Sequence, residues 1–205
     1  MHYDPDAADH GLPRNPFKSL VVPRPIGWIS SLSRAGVVNL APYSFFNAVA
    51  EEPPMVMFAA GDRRDSNGAL KDSRRNAEET GEFVVNIATS ELREKMSATS
   101  ASLPPEVDEM AAAGLTPAPS VVVKPPRVRE SPVNLECRWW KTIELPTTPP
   151  ARSNAIVIGR VVRIHIAEEI LTDGMVDMAK FHPIARLGYW QYTVVDNDFW
   201  MRPPP

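Results

Sequence analysis

A single cysteine, Cys137, stands in the 205 residues. One thiol can form no intrachain disulfide and no thiolate cluster, and a chain that does without disulfides fits a reducing compartment. Ten glycines are present. No two are separated by a single residue, so the Gly-x-Gly loops of dinucleotide and kinase folds are absent. The Walker sequence and the Gly-x-Ser-x-Gly nucleophile elbow are missing too. The four histidines, at 2, 10, 165 and 182, show no zinc-ligand spacing. No apolar run approaches the ~20 residues of a membrane-spanning helix. The opening stretch MHYDPDAADHG lacks the basic and apolar regions of a secretory signal. A net charge of −3 brings no general attraction to nucleic acid or anionic membrane. These absences predict a soluble cytoplasmic protein without nucleic-acid, membrane or metal partners, and they weaken hydrolase and P-loop readings.

Proline is what the chain has in excess. Its 22 copies cluster at 23/25, 53/54, 104/105, 117/119, 125/126, 149/150 and 203–205. Stiff turns at such intervals suit a β-rich fold better than a helix bundle. With 43% hydrophobic residues, the chain can bury the core of one domain over 1–205, its first 20 residues forming an irregular arm. Val133–Leu145 alternates with period two, placing Leu135, Cys137 and Trp139 on one face and Asn134, Glu136 and Arg138 on the other. Trp140 interrupts the polar face. Ala155–Ile166 is a second long strand, expected to align Ile156, Ile158, Val162, Ile164 and Ile166. Met55–Ala60 reads as a strand buried on both faces after a stop at Glu51–Pro54, and Glu82–Ala88 as another strand. Short helices are expected from Asp72 or Ser73 to Gly81, after Thr89 or Ser90 with a Glu91–Lys95 pair, and over Pro105–Ala113. Long amphipathic strands with few short helices suggest a closed or nearly closed antiparallel barrel.

Three stretches carry candidate chemistry. Val21–Asn47 reads as a β-hairpin turned at Arg34-Ala35-Gly36. Its second arm interleaves Asn39, Ser44 and Asn47 with Tyr43, Phe45 and Phe46. That mixture suits a flat, heteroatom-rich ligand, or else a half-buried strand with a polar outer face. Lys71-Asp72-Ser73-Arg74-Arg75-Asn76 surrounds a helix start, with Arg63, Arg64 and Ser66 just upstream. Free N–H groups and cationic side chains there favour a phosphate; the alternative is a solvated basic patch capped by Asp72. In the tail, His182, Arg186, Tyr189 and Trp190 would close over a ligand or plug a barrel end. His182 is a candidate ligand contact or proton donor, or an ordinary surface or core histidine. Cys137, on an apolar strand face, is a core residue. A phosphate site beside a stacking strand, in a chain without metal or thiol clusters, points to a phosphorylated aromatic cofactor such as FMN.

The segments PRPIGWISS (23–31), NLAPYSFFNAVAEEPPMVMF (39–58) and KDSRRNAEETGEFVVNI (71–87) resemble the flavin reductase-like family of FMN-binding split barrels. The resemblance is to the branch holding flavoredoxin and the reductase component of nitrilotriacetate monooxygenase. AAGLTPAPS (112–120), ESPVNLEC (130–137), AIVIGRVVRIHI (155–166) and PIARLGYW (183–190) extend it along most of the chain. The resemblance implies a six-stranded antiparallel Greek-key split barrel and a homodimer with FMN at its interface. By motif, Trp28, Ile29, Ser30 and Ser31, with Ala41, Pro42, Tyr43, Ser44 and Phe45, would line the flavin ring and ribityl chain. Lys71, Asp72, Ser73 and Asn76 would form the phosphate end, with Arg186 a further cofactor contact. It further implies NAD(P)H as electron donor, FAD as a possible substrate, His182 beside the nicotinamide, and a monooxygenase receiving the reduced flavin. A flavoredoxin-like electron carrier and a non-catalytic FMN binder are the rival readings.

Overall fold

The computed structural model of the protein describes all residues except 8, 63–68, 150, 152, 203 and 205. The candidates Arg63, Arg64 and Ser66 lie outside the described residues. A seven-stranded antiparallel sheet organises the chain. Its strands are β1 (Gly27–Leu32), β2 (Val38–Tyr43), β3 (Phe46–Glu51), β4 (Pro54–Gly61), β5 (Glu82–Ile87), β6 (Val133–Glu144) and β7 (Asn154–Ile166). They pair in the order β2–β1–β5–β6–β7–β4–β3. The two edge strands, β2 and β3, are linked only by Ser44 and Phe45. So short a link forces the sheet to curl until its edges approach. Counted as one bent strand, β2–β3 makes this a six-stranded Greek-key barrel, split where no ladder joins its edges.

Alternation along β1 feeds two cores. Ile29 joins Phe58, Phe83, Cys137 and Val157 inside the barrel. Trp28 joins Leu40, Met96, Met110 and Val128 in an outer layer. The outer layer is built from α2 (Arg93–Ala98), α3 (Glu109–Ala112) and the loops around them, while α1 (Asp72–Thr80) puts Ala77 into the barrel core. The expected β1–β2 hairpin is present, with Leu32 opposite Val38 and Gly36 at φ +81° in the turn.

Several expectations are corrected. The expected stop at Glu51–Pro54 is a hairpin turn, Glu51 pairing with Pro54; β3, which ends there, is not expected from the sequence as a separate strand. β4 is not buried on both faces: Val56, Phe58 and Ala60 point in, and their neighbours are half-buried. In β7 the buried face is Ala155, Val157, Gly159 and Val161, whereas Ile156 and Ile158 are half-buried and Ile164 and Ile166 exposed. A narrow barrel interior selects small residues there. A Cβ on Gly159 would lie 2.4 Å from Phe83 Cζ, which leaves space only for glycine. α1 has Lys71, not Asp72 or Ser73, at its N-cap, and Gly81 closes it at φ +77°. α2 begins at Arg93, and Lys95 donates to the Gly114 carbonyl at 2.7 Å. α3 is confined to four residues, started by Asp108, whose carboxylate accepts from Ala111 N–H.

The tail strands Ile184–Arg186 and Tyr192–Val194 form a separate small sheet with Arg24–Pro25. Trp190 does not plug the barrel; it is 72% exposed, with the Arg14 guanidinium 3.9 Å from its ring centroid. No helix among the described residues is long and apolar enough to cross a membrane, and among them no group of three or more His, Cys, Asp or Glu can hold a metal.

Candidate functional site

A cavity of about 330 Å³ lies along β2. That volume falls within the range of small-molecule sites. β2 is a sheet edge, so backbone groups on its free side have no strand partner. Asn39, Ala41, Pro42, Tyr43 and Ser44 form one wall. Lys71 and Asp72, at the start of α1, form a second. A hydroxyl-rich arc, Thr99, Ser100, Ala101, Ser102 and Leu103, lines it as well, and Arg186 and Tyr192 come from the tail sheet.

The cavity therefore gathers Ala41, Pro42, Tyr43, Ser44, Lys71, Asp72 and Arg186 from the candidate set. The other candidates sit behind or beside it. Trp28 is fully buried and donates its indole N–H to Thr99 Oγ1 at 2.8 Å, which fixes the start of the hydroxyl arc. Ile29 belongs to the barrel core. Ser30 donates to the Pro126 carbonyl at 2.6 Å. Ser31 accepts from Asn76 Nδ2 at 3.2 Å. Phe45 is not among the cavity residues; it is 40% exposed, beneath the Arg24 guanidinium. His182 ends a one-turn helix at φ +46° and is not among the cavity residues.

The helix Asp72–Thr80 is not a solvated patch. Ser73, Arg74 and Asn76 are all buried. Arg74 donates to Glu78 Oε1 at 2.9 Å and Ser153 Oγ at 2.7 Å, and pairs with Glu144. The Asn76 side-chain oxygen is buried without a hydrogen-bond partner among the described residues.

A buried polar chain underlies the cavity wall. Tyr43 hydrogen-bonds Ser73, and Ser73 Oγ lies 2.8 Å from the Asn39 carboxamide. With its oxygen turned to Ser73, the Asn39 NH2 donates to Glu109 Oε2 at 3.2 Å. The same Glu109 oxygen accepts the Leu40 N–H at 2.7 Å. One carboxylate from α3 thus fixes the backbone of edge strand β2 and, through Asn39, the first turn of α1. Burial pushes the Tyr43 phenol far above its usual value, the Ser73 bond opposes this, and the charges of Asp72 and Glu109 add to the rise. Lys71 Nζ stands 5.4 Å from the Tyr43 ring centroid.

Sequence reading missed Glu109, Tyr192 and the Thr99–Leu103 arc. Glu109 lies 69 residues from its partner Leu40, and no local pattern announces such a contact. The run of small hydroxyl residues TSASL was the one visible signal for the arc.

The donor set of an ammonium, several hydroxyls, an amide and a free strand edge suits a phosphorylated, heteroatom-rich ligand. Comparison with known proteins points the same way. The family model for the "Flavin reductase like domain" matches residues 19–193. An uncharacterized protein of Aquifex aeolicus is 43% identical over 175 residues, covering 85% of each chain. Nitrilotriacetate monooxygenase component B from Bacillus cereus superposes with a TM-score of 0.87 at 34% identity, over 98% of both chains. The 2-nitrobenzoate 2-nitroreductase of Pseudomonas fluorescens gives a TM-score of 0.83 at 27% identity, over 100% of this chain and 96% of the other. The fold, the cavity and the match over residues 19–193 agree: the chain belongs to the flavin reductase-like family.

Proposed function

We propose that the protein is an FMN-dependent NAD(P)H:flavin oxidoreductase that works as a cytoplasmic homodimer and supplies reduced flavin to a partner monooxygenase. The observation that carries this reading is the cavity on the free edge of β2, lined by Lys71 and by the Thr99–Leu103 hydroxyls. The similarity to a component B of a monooxygenase system supports the partner.

Bound FMN would supply the redox chemistry, accepting a hydride at its N5 from a dihydronicotinamide. Lys71 would hold its phosphate as a point charge. The backbone of Ala41–Ser44 and the serines at 44, 100 and 102 would meet the ribityl chain and the ring edge. Ser73 and Asn76 act from behind, holding Tyr43 and Ser31 in place. Water exclusion and orientation are the protein's contribution, and no side-chain acid is required for the transfer. Trp140 (58% exposed), Ile164 and Ile166 leave apolar surface open on β6 and β7, as a second copy would cover.

Steady-state oxidation of NADH and NADPH with added FMN or FAD tests the reading. We expect turnover with at least one nucleotide. FMN binding without oxidation of either would leave an electron carrier or a non-catalytic binder in place of a reductase.

A further inference from the structure

The cavity has a second cationic lining residue that FMN's one phosphate does not account for. Arg186 lines it from the tail sheet. Its cross-strand neighbour is Arg24, near enough for the charge of Arg186 to act on it. No carboxylate among the described residues lies within 4.0 Å of either. Like charges placed opposite each other across a ladder are destabilising, and the described residues supply no counter-ion within that distance.

The two arginines are used differently. Arg24 is buried, and its guanidinium is caged by carbonyls: Lys18, Val21 at 2.6 Å and Leu187 at 2.8 Å. Its Nε is buried with no hydrogen-bond partner among the described residues. Burial, and then the charge of Arg186, hold its pKa below the usual arginine value. Arg24 therefore acts as a fixed positive charge behind Arg186. Arg186 faces the cavity and is pre-oriented. It donates to the Tyr192 hydroxyl and to the Tyr189 carbonyl. Tyr189 presents that carbonyl at φ +52°, where L-residues are rare. A guanidinium has five N–H donors in a planar fork, so donors remain for a ligand. A planar fork with a second positive charge behind it matches the bidentate geometry of a phosphate group.

We propose that Arg186, backed by Arg24, binds the diphosphate of the nicotinamide dinucleotide, so that the two cationic residues lining the cavity divide the work: Lys71 for the flavin, Arg186 for the electron donor. This rests on the flavin reductase reading. It makes Arg186 a determinant of donor binding and not an anchor of FMN.

The test titrates ADP-ribose, the donor without its nicotinamide ring, onto FMN-loaded protein by calorimetry. Wild type should bind it, Arg186→Gln at least tenfold more weakly, and Arg186→Lys in between. FMN affinity should change less than threefold in Arg186→Gln. The preference for NAD(P)H over the uncharged donor 1-benzyl-1,4-dihydronicotinamide, taken as a ratio of kcat/KM, should fall about tenfold. Equal ADP-ribose affinity in wild type and Arg186→Gln, no binding to wild type, or an equal loss of FMN affinity would overturn the proposal. Wild-type protein that binds no FMN would defeat the flavin reading itself, and ADP-ribose titrated onto that protein still reports on Arg186. An Arg186→Gln chain that does not fold shifts the decision to Arg186→Lys, whose unchanged ADP-ribose affinity together with lost affinity for FMN would refute the assignment.

Discussion

Two glutamates are buried in this protein, and their surroundings separate structural polarity from functional polarity. Glu136, on β6, is completely buried. It accepts the backbone N–H groups of Val121, Val122 and Val123 at 2.7, 2.6 and 3.1 Å, and His165 Nε2 lies 2.6 Å away. This is a closed set: a carboxylate inside a nest of successive amides, pinning the 121–123 loop onto the outer face of the barrel. Glu109 is almost as buried, yet it lines the cavity and reaches Ser73 through Asn39. A buried carboxylate is thus not in itself a site. Where its hydrogen bonds lead decides the matter: Glu136 leads to a loop, Glu109 to the walls of a cavity.

The comparison predicts opposite responses to similar substitutions. Glu136→Gln leaves at most one side-chain oxygen for three amides and should cost about 3 kcal/mol of stability, read by urea unfolding, with FMN affinity unchanged. A stability loss below about 1 kcal/mol would show that the nest is not what holds the loop.

Acid unfolding sharpens the same contrast. Burial raises the Glu136 pKa, but the Val121–Val123 amides and His165 outweigh it and hold the group below its usual 4.5. A folded pKa below the unfolded one gives stability that is present above about pH 4.5 and is lost as pH falls below it. Unfolding free energy should therefore drop with acidification in that window, and the drop should be shallower in Glu136→Gln.

Glu109→Gln should do less to the fold and more to the cavity. The amide oxygen can still accept both the Leu40 and the Asn39 bonds, which share one carboxylate oxygen, but without the negative charge that strengthens them. Stability should fall by about 1 kcal/mol, and FMN affinity by roughly tenfold, ~1.4 kcal/mol, because the brace shared by Ser73 and the β2 edge is weakened. A variant that loses as much stability as Glu136→Gln but keeps wild-type FMN affinity would erase the distinction between the two carboxylates.

The barrel and its cavity were legible in the sequence to different degrees. The long strand Val133–Glu144 and the hairpin around Gly36 rest on local signals and both are present in the fold, but the strand's expected polar face buries Asn134 and Glu136 while Ile143 of the apolar face is exposed. The inward face of β7 was misread because hydrophobicity favours the isoleucines, whereas the interior beside Phe83 admits only small residues. Lys71 and Tyr43 could be picked out by motif, and the cavity contains both. Glu109 and Arg24 could not, since each acts through partners far along the chain: Leu40 for one, Leu187 for the other. Glu136 was visible as a polar-face residue, but its burial depends on a loop whose path no periodicity reveals.

The central claim is that the β2 cavity is a flavin site closed at one end by Lys71. Titration of FMN, followed by quenching of its fluorescence, tests this most directly when wild type and Lys71→Ala are compared. The account predicts saturable binding by the wild type and a ten- to hundredfold weaker affinity in the variant, the worth of one charged hydrogen bond to phosphate of about 1.5–3 kcal/mol. Wild-type protein that leaves FMN fluorescence unquenched, or a Lys71→Ala affinity equal to wild type, would contradict it.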